Sequence, residues 1–115
     1  MFSFFGKLSI DIHLSGNKMN IIALGTLKEF WVMHPDSEEQ LKAWYAEMKR
    51  RSFKNPHEIK ERYQTADAVG NNRIVFNIKG NKYRLIVKFD YLRQKGFVRF
   101  IGTHKEYDKI NAEVI

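Results

Sequence analysis

The stretch RIVFNIKGNKYRLIVKF, residues 73 to 89, alternates in character along its length and changes direction in the middle. Successive strand side chains point to opposite faces, so Ile74, Phe76 and Ile78 fall on one side and Arg73, Asn77 and Lys79 on the other, with Val75 among them. The second half repeats the pattern. Tyr83, Leu85, Val87 and Phe89 read as the core side, and Lys82, Arg84 and Lys88 as the outer side. Gly80-Asn81 suits a two-residue hairpin turn, so 73–79 and 82–89 are predicted to be paired strands. A looser turn from Leu92 to Gly96 leads to a third strand, Phe97 to about Ile101, whose one charge is Arg99.

Just downstream, Thr103-His104-Lys105-Glu106 has the spacing of a capping box. A last short helix should start there, with His104 and Tyr107 three residues apart on one face. Upstream the period is helical. Thr26-Leu27-Lys28-Glu29 reads as a helix start, after which Leu27, Phe30 and Trp31 share a face. A second helix is predicted from Asp36, with Glu38 and Glu39 in its first turn, Lys49, Arg50 and Arg51 at its end, and Leu41, Trp44, Tyr45 and Met48 as its buried stripe. Asn55-Pro56 with Glu58 opens a short helix through Tyr63 that buries Ile59. Ile21-Ile22-Ala23-Leu24 is short enough for a buried strand.

Residues 1–18 stand apart as a leader. Leu8, Ile10, Ile12 and Leu14 alternate with polar residues as in a strand, and Ser15 to Lys18 ends the run. The start lacks basic residues, and Asp11 and His13 interrupt the apolar stretch, so it does not read as a secretion signal. It is an extra edge strand, a disordered extension, or a consequence of an upstream start, since Met19 serves equally well as initiator.

At 115 residues the chain has the size of one domain. It has no cysteine, which excludes disulfide scaffolds, thiolate zinc sites and cysteine nucleophiles. His13, His34, His57 and His104 are scattered, without carboxylates at ligand spacing, so no metal site and no cofactor is expected. No apolar run approaches the roughly 18 residues of a membrane span, and the chain reads as soluble and cytoplasmic. The net charge of +7 is concentrated: positions 73 to 109 hold ten Lys/Arg and three Asp/Glu, leaving ten of each sign elsewhere. A localised excess of this kind is the footprint of a polyanion-binding surface.

If its register places Arg99 beside Arg84, the sheet offers a cationic face with a His–Tyr pair at its edge. That set suits RNA cleavage without a metal, in which a ribose 2′-hydroxyl attacks the adjacent phosphate. Guanidinium groups grip the crowded phosphorane, and imidazole, phenol or amine groups move the protons. Arg84, Arg99, His104, Tyr107 and Lys79 are therefore the catalytic candidates; Arg73, Asn77, Lys82 and Lys88 are the RNA-binding ones.

The runs Arg73-Ile-Val-Phe-Asn-Ile-Lys-Gly-Asn-Lys-Tyr-Arg84-Leu and Arg99-Phe-Ile-Gly-Thr-His-Lys-Glu-Tyr-Asp108 closely resemble the HigB toxins of the RelE-like superfamily. The resemblance reaches back through Trp44-Tyr45 and Leu27-Lys28-Glu29-Phe30-Trp31 to Met19, so residues 19–115 correspond to the toxin domain and the leader does not. It implies an α+β fold, a compact RelE-like domain with helices packed on one face of a mostly antiparallel sheet. It implies cleavage of mRNA on translating ribosomes, neutralisation by a HigA-like helix-turn-helix antitoxin, and contact with operator DNA only through that antitoxin. By position Arg84 matches the strand arginine of RelE-like nucleases, His104 and Tyr107 match the C-terminal catalytic groups, and Lys79 and Lys82 match the catalytic lysines. Two other functions fit the fold: a toxin that inhibits a topoisomerase by binding, and a plain RNA-binding module. The latter is disfavoured because the outer face is expected to lack aromatics that stack on bases.

Overall fold

The computed structural model describes residues 18–115, so the predicted strand of the leader lies outside the described residues. The element order is β1 (Asn20–Ile22), α1 (Leu24–Met33), a 3-10 turn (Pro35–Ser37), α2 (Glu38–Arg50), α3 (Pro56–Arg62), β2 (Asp67–Gly70), β3 (Arg73–Ile78), β4 (Tyr83–Asp90), β5 (Lys95–Thr103) and α4 (His104–Tyr107). The strands form one five-stranded sheet in the order β1-β5-β4-β3-β2. Among the described residues only β1 and β5 run parallel; the other neighbours are antiparallel. This is the expected α+β architecture.

The helical stripes fold as their spacing dictates. Leu27 and Trp31 of α1, Leu41, Trp44 and Met48 of α2 and Ile59 of α3 are buried against Ile74, Phe76, Ile78, Tyr83, Leu85, Val87 and Phe89 of the central hairpin. Phe76 is the hub, with edge-on contacts to Trp44, Tyr63 and Phe89 at 5.3, 5.3 and 6.3 Å between centroids. Below this layer Glu47 ties α2 to α3. Its carboxylate accepts two bonds from Arg62, one from Tyr63 Oη at 2.8 Å, and faces Arg51 Nε at 3.1 Å.

Several boundaries differ from the sequence reading. The first helix begins at Leu24 with Ala23 as its cap, so Thr26 lies inside the first turn and forms no capping box. The second begins at Glu38, because Pro35 and Asp36 enter a separate 3-10 turn whose Ser37 hydroxyl donates to His34 O at 2.7 Å. The N-terminal strand is Asn20–Ile22 and not 21–24. Strand β2 is mostly exposed and carries no apolar alternation, which is why the sequence did not announce it.

The hairpin joins through four residues and not two. Ile78 pairs with Tyr83, and Lys79 (φ 56°) and Gly80 (φ 64°) take the left-handed conformation that turns the chain. Lys79 therefore sits in the loop, its main-chain N–H donating to Gln40 Oε1 at 2.6 Å.

Strand β5 runs from Lys95 to Thr103, longer at both ends than predicted, and contains a bulge. Val98 pairs with Val87 and Phe100 with Ile86, so Arg99 is the extra residue. The bulge lets Val98 and Ile101, three residues apart, both pack against the core, and it turns Phe100 to the opposite face, which Phe97 shares. That face is accordingly not free of aromatics, contrary to the expectation from the sequence. Val75 and its partner Ile86, which also pairs with Phe100, are buried there too. The chain after α4 returns across them, with Asn71 Nδ2 donating to Glu113 O at 2.9 Å.

Candidate active site on the outer hairpin face

Arg84 alternates away from Tyr83 and Leu85 and so leaves the helical core for the outer face. Its cross-strand partners are Asn77 on β3 and Gly102 on β5. Two contacts orient the guanidinium. Nη1 donates to Asn81 O at 3.1 Å and Nη2 to Asn81 Oδ1, while Cζ stands 5.5 Å from the centroid of the Tyr107 ring. Tyr107 in turn lies 6.4 Å from Phe100, the residue that the bulge turns outward.

Gly102 makes this stack possible. A Cβ there would come within 2.7 Å of Phe100 Cζ and 2.8 Å of Glu106 Oε1, so any other residue would have to move the ends of these two side chains. Both legs of the predicted capping box form: Glu106 N donates to Thr103 Oγ1 at 3.1 Å and Thr103 N to Glu106 Oε1 at 2.8 Å. This fixes the first turn, and the N–H of His104 donates to Lys82 O at 3.0 Å, binding α4 to the hairpin loop. His104 Nδ1 is 3.1 Å from Asp108 Oδ2.

The other candidates divide. Lys82 borders the same end of the hairpin, but its Nζ is 2.6 Å from Asp36 Oδ2, and Asp36 Oδ1 accepts from Tyr83 Oη at 2.7 Å. The hydrogen bond from Lys82, then that from Tyr83, holds the Asp36 carboxyl below its usual range, and the same contacts push Lys82 and Tyr83 up. Lys79 is exposed in the adjoining loop.

Arg99 does not stand beside Arg84. Gly102 occupies that register position, and Arg99 lies three residues further along β5, roughly 10 Å at strand rise. Arg73, expected as an outward cation, is only 8% exposed. Its Nε and Nη2 donate to Ile115 O at 2.9 and 2.7 Å, and Arg99 Nε reaches the same oxygen at 3.2 Å. Since β3 and β5 flank β4, this oxygen lies over β4. Lys88 is exposed near Arg99, at the end of the sheet away from His104.

The outer face therefore carries Arg84 with Tyr107 beside it, Asn77 across the strand and His104 at the same end, with Lys79 and Lys82 in the adjoining loop, and a separate arginine pair closed on Ile115. Asn81, Asp108 and Gly102, which support these residues, were not among the site candidates of the sequence, where Asn81 counted only as a turn residue. Gly102, a glycine between β-forming residues, carried a signal that could have been read.

The same segment is what the chain shares with known proteins. The HigB toxin family, described as the RelE-like toxic component of a toxin–antitoxin system, matches residues 37–110. The chain belongs to the HigB toxin family. Similar HigB proteins include the "mRNA interferase toxin HigB" of Escherichia coli K12, 29% identical over 96 residues that cover 82% of this chain and 92% of the relative. The "mRNA interferase HigB" of Shigella flexneri matches to the same extent, and that of Escherichia coli O6:H1 is 28% identical over 94 residues, 80% of this chain and 91% of its own length. As a HigB toxin, this chain has an antitoxin as its counterpart. Among the described residues, no helix is long and apolar enough to cross a membrane.

Proposed function

We propose that this HigB toxin is a cytoplasmic endoribonuclease that cuts mRNA on translating ribosomes, without a metal, through the cluster around Arg84. The observation that carries the proposal is the convergence of Arg84 from β4 with His104 and Tyr107 from α4 at one end of the hairpin. The relatives named mRNA interferases support the same reading.

In the reaction the 2′-oxygen forms a bond to the phosphorus, the bond to the 5′-oxygen breaks, and a 2′,3′-cyclic phosphate results. The Arg84 guanidinium meets the non-bridging oxygens, whose charge is greatest in the crowded transition state. His104, with Nδ1 against Asp108, presents Nε2 for one proton transfer; Tyr107 or Lys79 serves the other. Asn77 and Lys82 border the cluster and hold the strand, whereas the exposed Arg99 and Lys88 follow its backbone further along the face and Arg73, closed on Ile115, does not. The antitoxin is HigA-like, with a helix-turn-helix domain through which the complex reaches operator DNA.

The test is to express Arg84→Ala, His104→Ala and Tyr107→Phe and map mRNA ends during translation arrest. Loss of one proton carrier should lower cleavage by about 10² to 10⁴. If folded Arg84→Ala and His104→Ala proteins stay fully toxic, the site is wrong. Intact transcripts with altered DNA supercoiling would instead make this a topoisomerase-binding toxin.

A further inference from the structure

Strand β2 covers β3 only as far as Val75, so Phe76 to Ile78 have no strand neighbour on that edge among the described residues. The N–H of Phe89 donates to Asn72 O at 2.8 Å, and this pair continues the β3–β4 register one step beyond Arg73 and Lys88. Antiparallel alternation then turns the main chain of residues 72, 74, 76 and 78 toward β4, and that of 73, 75 and 77 toward the other edge. Asn77 thus presents its main-chain N–H and C=O to the open edge. A slot of about 200 Å³ lies against it, walled by Gln40, Ala43 and Trp44 of α2 and by Tyr63 and Thr65 after α3.

We propose that this slot receives a single nucleobase of the RNA strand whose phosphate rests on Arg84, and so makes the cut base-selective. The proposal rests on the nuclease reading above. Asn77 is the register partner of Arg84, so the slot opens at the free edge of the strand next to the one that carries the guanidinium, and the two main chains lie about one strand spacing, roughly 5 Å, apart. Its volume lies below the roughly 300–1,000 Å³ of sites for larger ligands, which limits it to one ring system. Aromatic and aliphatic walls suit a flat ring. The polar groups suit its edge: Asn77 offers a main-chain donor and acceptor and a side-chain amide whose one bond, to Thr65 O at 3.5 Å, is long and easily exchanged, and Gln40 offers a second amide. An added peptide strand is a poorer fit, because strand addition needs several consecutive edge residues and helix α2 and the segment after α3 close both sides of this one.

The test uses isotope-labelled wild-type protein titrated with each of the four nucleoside 3′-monophosphates. The amide of Asn77 and the indole N–H of Trp44, which has no acceptor among the described residues, should shift together, more for some bases than others. Ala43→Phe, which fills the slot from the exposed face of α2 and should leave the melting temperature near that of the wild type, should weaken nucleotide binding about tenfold or more. Mapped mRNA ends from that variant should lose a base preference beside the cut. Nucleotides that shift neither signal, or Ala43→Phe cuts with unchanged base statistics, overturn the proposal. If the slot binds nucleotides in a protein that cuts no RNA, the nuclease reading falls while the base site stands. Shifts produced by an extended peptide and by no nucleotide overturn it in favour of a protein-docking edge.

Discussion

Arg84 is held before any substrate arrives. Asn81 engages both terminal nitrogens and the Tyr107 ring stacks beside the charge, so the guanidinium need not be ordered when a phosphate binds. Lysine cannot reproduce a planar group bridging a carbonyl, an amide and a ring, and Arg84→Lys should lose about 10²-fold or more in cleavage despite keeping its charge. Asn81→Ala, which only loosens the guanidinium, should cost about tenfold. Single-turnover cleavage rates of the two variants check the order. At Glu47 the balance is different. Burial pushes its carboxyl up, but the bonds from Tyr63 and Arg62 and the charges of Arg62 and Arg51 outweigh that and hold it below 4.5. A depressed carboxyl stabilises the fold above its unfolded value and loses that contribution as pH falls through its folded value. Melting temperature should therefore drop more steeply below about pH 4.5 in the wild type than in Glu47→Gln, which has no charge to lose. Parallel curves would show that the cluster contributes nothing through ionisation.

At the scale of elements, β5 and α4 act as one unit. The bulge at Arg99 turns Phe100 outward to meet Tyr107, and Gly102 admits the Glu106 side chain that caps α4. Glycine in a strand ordinarily weakens it, so alanine would stabilise a regular strand. Here the sign should reverse. The added methyl crowds Glu106 Oε1, which accepts from Thr103 N, and the Phe100 ring beside Tyr107, and Gly102→Ala should cost about 1–3 kcal/mol in denaturant titrations. Cleavage should fall as well, because the capping bond of the helix that carries His104 and Tyr107 is weakened. The four-residue hairpin loop belongs to the same assembly. Gln40 ties it to α2, Asp36 ties Lys82 to the 3-10 turn, and Lys82 O receives the first turn of α4.

For the molecule as a whole, the separation of an apolar inner face from a cationic outer face sets how it meets RNA. Binding to single-stranded RNA should weaken with salt, each neutralised phosphate contributing about 0.7 to the slope of log affinity against log salt. Arg84→Ala should reduce the slope by about that amount. Arg73→Ala should change it little while Arg73 remains closed on Ile115, and should appear mainly as lost stability. Fluorescence anisotropy across a potassium chloride series distinguishes them.

The sequence by itself determined the helical stripes, the two faces of the hairpin, the α4 capping box and the position of the net charge. Each depends on a local period or a spacing of a few residues that tertiary contacts here reinforce. It also carried the family resemblance, through the runs from Arg73 and from Arg99. Only the tertiary structure decided the register of β5. One bulged residue shifts which side chains share a face, and alternation counted along an assumed regular strand cannot register it. The same holds for Arg73, whose outward direction was legible while its partner, Ile115, lies 42 residues away. Whether an arginine on the outer face is free for a phosphate is a matter of what the folded chain has already placed against it.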